Sequence, residues 1–64
     1  MSNNLSYYQA IKGLTDREVA EKSNLAESYY NKVKNGRITP GVNIALRVAR
    51  TIGRSVETLF GEAK

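Results

Sequence analysis

The chemistry this sequence can offer lies in its charged residues, and they are unevenly placed. Between Ser28 and Val56 there is no acid, while Lys32, Lys34, Arg37, Arg47, Arg50 and Arg54 all fall in that block. The six acids, Asp16, Glu18, Glu21, Glu27, Glu57 and Glu62, lie outside it. A cationic block in a chain of net charge +4 points to a polyanionic partner. On charge alone, a solubilising surface is an equal alternative. Catalysis has little to stand on. The 64 residues include no histidine and no cysteine, which excludes zinc sites built on those ligands and Ser/His or Cys/His pairs. No pair of carboxylates comes with a partner base, and Glu18 reads as a helix cap rather than a catalytic acid. We therefore expect no enzyme, no metal, no cofactor and no small-molecule substrate. No apolar run reaches the ~20 residues of a membrane span and no signal-peptide pattern opens the chain, so the expected location is the cytoplasm.

A chain this short forms one domain, 1–64, with its core over about 5–60 and every element sharing that core. Its punctuation is helical. Gly13, Gly36 and Gly53 each follow an amphipathic stretch and fit positions just past a helix end. The pattern predicts an all-α chain of five short helices. The first spans about 5–12, with Leu5, Tyr8 and Ile11 inward and Tyr7 on the flank. The second has Thr15 as N-cap and Glu18 three residues on, a capping box, with Leu14 and Val19 as a hydrophobic staple; it ends near Lys22. Asn24 fits a left-handed turn. The third helix spans about 27–34. At about 100° per residue, Tyr29, Tyr30 and Val33 cluster on one side and Glu27, Ser28, Asn31, Lys32 and Asn35 on the other. Tyr29 and Tyr30 are therefore read as core rather than as stacking platforms for bases. The fourth helix begins with Thr39 as N-cap and Pro40 at its first position. Val42, Ala45, Leu46, Ala49 and Ile52 point inward, widened by Ile44 and Val48, against a polar stripe of Asn43, Arg47 and Arg50. Arg54 reads as surface decoration. Ser55 caps a last short helix carrying Leu59 and Phe60, with Glu57 in its first turn.

Two short helices joined by a tight turn, the second with a polar outer face, form a helix-turn-helix. After it come a basic loop, Lys34 to Arg37, and a helix whose N-terminus can offer backbone N–H groups to an anion. The stretches GLTDREVAEKSNLAESYYNKVKNGRITP and IALRVARTIGRSVETLF resemble the lambda repressor/Cro-like (XRE-type) helix-turn-helix family. The likeness includes the Gly-Leu-Thr opening, the Asn-Gly-basic-x-x-Pro exit and the Ala-x-x-Ile-Gly-x-Ser-x-x-x-Leu-Phe ending, and it covers about residues 5–60. Order and spacing together carry it.

The resemblance implies a five-helix, sequence-specific double-stranded DNA-binding domain whose third helix lies in the major groove. It implies base contacts from Glu27, Ser28, Asn31 and Lys32. Phosphate contacts are implied for Asp16 or Arg17, then Asn35 and Arg37, then Thr39 and Asn43; these fix register while base edges carry sequence. Glu27 has two readings. It can accept from a cytosine N4 amine, or it is an acid at a helix start, gaining a few tenths to ~1 kcal/mol from the macrodipole. The chain departs from the family pattern at six positions. Asp16 stands where glutamine is usual, Ser23 replaces a large aliphatic, Asn24 replaces glycine, and Ala26 replaces a Ser or Thr cap. Gln9 and Lys34 occupy the places of an Arg–Glu pair, so that ion pair is expected to be absent.

The function expected on this basis is transcription regulation, as a repressor of prokaryotic or phage kind, associated with the nucleoid when bound to DNA. The expected partner is a pseudo-palindromic operator met by a homodimer, with Leu59 and Phe60 near the dimer surface. The alternatives are the DNA-binding antitoxin of a toxin pair, a protein-interaction module on the same fold, and an RNA binder. The last is disfavoured because no exposed aromatics are interleaved with the basic residues.

Overall fold

The computed structural model describes residues 3–61. Glu62 and the ends of the 1–64 domain lie outside the described residues. Five helices follow in order: α1 (Leu5–Lys12), α2 (Asp16–Lys22), α3 (Glu27–Lys34), α4 (Val42–Ile52) and α5 (Val56–Phe60). Among the described residues there is no strand. The all-α, lambda-repressor-like arrangement expected from the sequence is the one observed.

Local chemistry sets most of the boundaries. Thr15 Oγ1 accepts from the Glu18 N–H at 3.1 Å, and Glu18 Oε1 accepts from the Thr15 N–H at 2.8 Å, so the capping box closes in both directions. Gly13 ends α1 at φ 75° and Gly53 ends α4 at φ 81°, a left-handed geometry that a Cβ would penalise. Ser55 caps α5 by accepting from the Thr58 N–H at 3.1 Å.

The helices meet in one core of Leu5, Val19, Ala20, Tyr30, Val33, Val48, Ala49, Ile52 and Leu59, so each of the five supplies at least one buried side chain. α2 packs on α3, and α4 packs against α1, α2 and α5. Burying a side chain such as Val48 or Ile52 contributes about 1.5–3 kcal/mol. Bonds between distant parts of the chain add to this. Asn4 donates its backbone N–H to Leu59 O at 2.9 Å and its Nδ2 to Thr58 O at 3.0 Å, and Asn3 Nδ2 donates to Val33 O at 2.9 Å. The start of the chain is thereby tied to α5 and α3.

Four expectations are corrected. Helix α4 begins at Val42, not at Pro40. Gly41 is its N-cap, with extended backbone at ψ 170° and no side chain of its own to cap with. A ψ of 170° lies far from the helical value, so the helix cannot extend back through Gly41 to Pro40. The buried face of α4 is also rotated: Ala45, Val48, Ala49 and Ile52 are buried, while Val42 is 76% and Leu46 43% exposed. On α1, Ile11 is 57% exposed and Gln9 is buried instead. A buried glutamine is stable only with partners, and Gln9 has them. Arg54 does more than decorate the surface, since its guanidinium lies 5.2 Å from the centre of the Tyr8 ring, which also meets Tyr7 edge-on.

Candidate nucleic-acid interface

The turn between α2 and α3 decides how the outer face of α3 is presented. Asn24 takes φ 60°, the conformation a short side chain tolerates best. The turn closes through Asn24 N–H to Glu21 O at 3.1 Å and Leu25 N–H to Ala20 O at 2.8 Å. Ser23 is buried at the bend, and its hydroxyl bonds the Thr51 hydroxyl at 2.9 Å. A small polar residue thus stands where a large aliphatic is usual, and it joins the turn to α4 by a hydrogen bond.

On α3, Tyr30 and Val33 are fully buried and Tyr29 is half-buried against the core. Glu27, Ser28 and Lys32 are exposed on the other side. Ala26 gives no side-chain cap, and Glu27 is the acid in the first turn. Asn31 is half-buried and differs from the other three candidates because its Nδ2 donates to Asp16 Oδ2 at 2.9 Å.

That bond belongs to a network the sequence reading missed. Asp16 opens α2 and Lys34 closes α3, and Lys34 Nζ lies 2.7 Å from Asp16 Oδ1 and 3.0 Å from Oδ2. The two side chains are 20% and 21% exposed, so the pair is largely shielded from water. Gln9 Nε2 donates to Asp16 Oδ1 at 2.7 Å and to Leu14 O at 3.0 Å, while Gln9 Oε1 accepts from Tyr30 OH at 2.7 Å. No Gln9–Lys34 ion pair forms, and Lys34 pairs with the acid at position 16 instead. The one signal in the sequence was that the departures at 9, 16 and 34 occur together: a lost Arg–Glu pair and a new acid. The Lys34 hydrogen bond is the largest cause holding the Asp16 carboxyl below its ordinary pKa. Burial opposes it, while Gln9, the Lys34 charge and Asn31 reinforce it. Burial, aided by the Asp16 charge, holds the Tyr30 phenol above its usual value. Among the described residues no buried side-chain nitrogen or oxygen lacks a partner.

The expected phosphate-contacting residues lie on the segments flanking this face. Arg17 is exposed on the first turn of α2, 3.5 Å from Glu21 in a surface pair of little energetic weight. Asn35 is exposed at the end of α3, and Arg37 is exposed in the loop, where its N–H bonds Lys32 O at 2.9 Å. Thr39 is exposed in the segment before α4, and Asn43 is exposed in the first turn of α4. With Asp16 drawn into the network, Arg17 is the cation at the start of α2. Leu59, expected near a dimer surface, is fully buried in the core of its own chain, and Phe60 is half-buried beside it.

The helix-turn-helix family profile matches residues 8–59, from the middle of α1 into α5. The chain belongs to the XRE-type helix-turn-helix family. The XRE-type family is one of DNA-binding transcription regulators, so this helix-turn-helix is a DNA-binding element. One relative is an uncharacterized HTH-type transcriptional regulator of Methanocaldococcus jannaschii. It is 28% identical over 60 residues, which cover 94% of this chain and 91% of the relative. No described helix of this XRE-type chain is long and apolar enough to cross a membrane, and no described group of three or more acids is placed to hold a metal ion.

Proposed function

We propose that this chain is a sequence-specific double-stranded DNA-binding regulator acting as a repressor, with α3 in the major groove. The observation that carries the reading is the two-sided character of α3. Tyr30 and Val33 fix it to the core while Glu27, Ser28 and Lys32, with Asn31 at their edge, remain on its outer side. In this reading those four side chains meet base edges, and Arg17, Asn35, Arg37, Thr39 and Asn43 meet phosphates. The positive charge of the 28–56 block supplies attraction through release of counterions. Two copies would read a pseudo-palindrome with half-sites about one helical turn apart. Phe60 and its neighbours on α5 are the part of the expected contact surface left outside the core. The protein would act in the cytoplasm, on the nucleoid when bound.

The deciding experiment is selection of bound duplexes from a random pool, followed by sequencing. A two-fold symmetric consensus, with binding that weakens steeply as salt rises, is the expected result. Equal affinity for every duplex with a weak salt response would instead support a protein-interaction module. A small partner that co-purifies with the chain would support an antitoxin.

A further inference from the structure

Asp16, at the start of α2, is surrounded by donors from two other helices, α1 and α3. Its Oδ1 accepts from Gln9 and Lys34, and its Oδ2 accepts from Asn31 and Lys34. An ionised carboxylate can only accept hydrogen bonds. The end of the Asn31 amide turned toward Asp16 is therefore the amino group, and the carbonyl Oδ1 is turned away from it. The two ends of an asparagine amide are ordinarily exchanged by a simple flip. Here a flip would set Oδ1 against a carboxylate oxygen, acceptor against acceptor. The Gln9 amide is fixed by the same logic, because its Nε2 also faces the carbonyl of Leu14, another pure acceptor. Orientation is thus transmitted from the buried Tyr30 hydroxyl through Gln9 and Asp16 to the edge of the exposed face. Asn31 Oδ1 has no hydrogen-bond donor among the described residues.

We propose that Asp16 is a positioning residue that fixes the polarity of Asn31. It makes α3 present an acceptor to the major groove, where Asn31 accepts from the exocyclic amine of the base pair it meets, adenine N6 or cytosine N4. The inference rests on the DNA-reading function proposed above. Adenine N6 and cytosine N4 are the amine donors of the major-groove edge, whereas guanine and thymine offer acceptors there. An outward Oδ1 therefore complements the amine of a base pair and opposes its N7, O6 or O4 acceptors, so preference follows from which of these stands opposite Asn31. The Asp16 carboxylate does not meet the base, since both its oxygens face protein donors.

The test is duplex selection and sequencing with wild type, Asp16→Asn, Asn31→Ala and Lys34→Gln, with thermal unfolding of each followed in parallel. Asn31→Ala is expected to lose preference at one base pair per half-site, by roughly tenfold, and to keep it elsewhere. Asp16→Asn offers Asn31 both a donor and an acceptor, which frees its amide to flip. Preference at that same base pair falls several-fold or passes to a different pair. Lys34→Gln breaks the ion pair and lowers the unfolding temperature but leaves the acceptor in place, so its base preference stays that of wild type. A merely structural Asp16 would give Asp16→Asn and Lys34→Gln the same effect, and that result overturns the inference. So does an Asp16→Asn protein whose affinity changes by one factor on all duplexes, or a wild-type affinity unchanged when the adenine or cytosine of the pair that Asn31→Ala alters is replaced by an analogue lacking the exocyclic amine. If Asp16→Asn does not fold, exchange of the Asn31 side-chain amide protons in wild type decides. Protection of one proton supports the bond to Asp16, and exchange as fast as that of an exposed asparagine overturns it. A wild type that selects no consensus removes the DNA-reading function and this inference together. A wild-type consensus left intact by Asp16→Asn removes the inference alone.

Discussion

Replacing Tyr30 by phenylalanine isolates one bond of the network. Tyr30 is fully buried, and its hydroxyl donates to Gln9 Oε1 at 2.7 Å inside a region where Gln9 is only 7% exposed. The substitution removes one oxygen and keeps the ring, so the packing loss is small. The larger effect is on Gln9, whose carbonyl loses its donor where water has little access. An unsatisfied buried acceptor costs about 1–3 kcal/mol. A core in a chain of this size rarely supplies more than about 3–5 kcal/mol in total, so the loss is a large share of stability. Each kcal/mol lowers the midpoint of thermal unfolding by roughly 4–8 °C. The cost should be contingent on Gln9. In a Gln9→Met background no carbonyl awaits the hydroxyl, so Tyr30→Phe should cost about 1 kcal/mol less or become neutral. Urea unfolding of the four proteins measures this, provided the slope with denaturant stays constant across them. An equal cost of Tyr30→Phe in both backgrounds, or none in wild type, would refute the reasoning.

Asp16 predicts an acid-side loss of stability. Its folded-state pKa lies below its ordinary value of 3.8, so its contribution is present in full above that value and is lost as pH falls through the lower folded one. Urea midpoints from pH 7 down to 2 should fall below about pH 4 in wild type and less so in Asp16→Asn; parallel profiles would exclude the effect. Thr15→Ala opens the capping box and should cost about 1 kcal/mol, read as a lower denaturation midpoint; an unchanged midpoint would mean α2 does not depend on its cap. Arg37→Ala should weaken binding on all duplexes and reduce the dependence of log affinity on log salt by about 1. A change confined to one base pair would make Arg37 a base reader instead. Glu27→Gln should alter preference at one position per half-site if the carboxylate accepts from cytosine N4. A uniform gain in affinity on every duplex would show only a repulsive charge removed.

What the sequence by itself determined is what forms within a few residues along the chain. The capping box needs only Thr15 and Glu18, three positions apart. The left-handed residues Gly13, Asn24, Gly36 and Gly53 follow from backbone sterics at single positions. The buried and exposed sides of α3 follow from its 3.6-residue period. The helix-turn-helix and the face it turns outward were legible for that reason. Even so, the period alone misplaced Ile11 and Leu46, because which apolar residues of a helix are covered depends on how its neighbours sit against it. Only the tertiary structure decided the roles of Gln9, Asp16, Tyr30, Asn31 and Lys34. Their bonds join residues 7, 15, 18 and 21 positions apart, on three helices. A hydrogen bond holds over a few tenths of an ångström, so it exists only once helix rotation and separation are set by the core as a whole. The sequence could name an acid where a glutamine is usual. The packing turned that acid inward and made it the partner of Asn31.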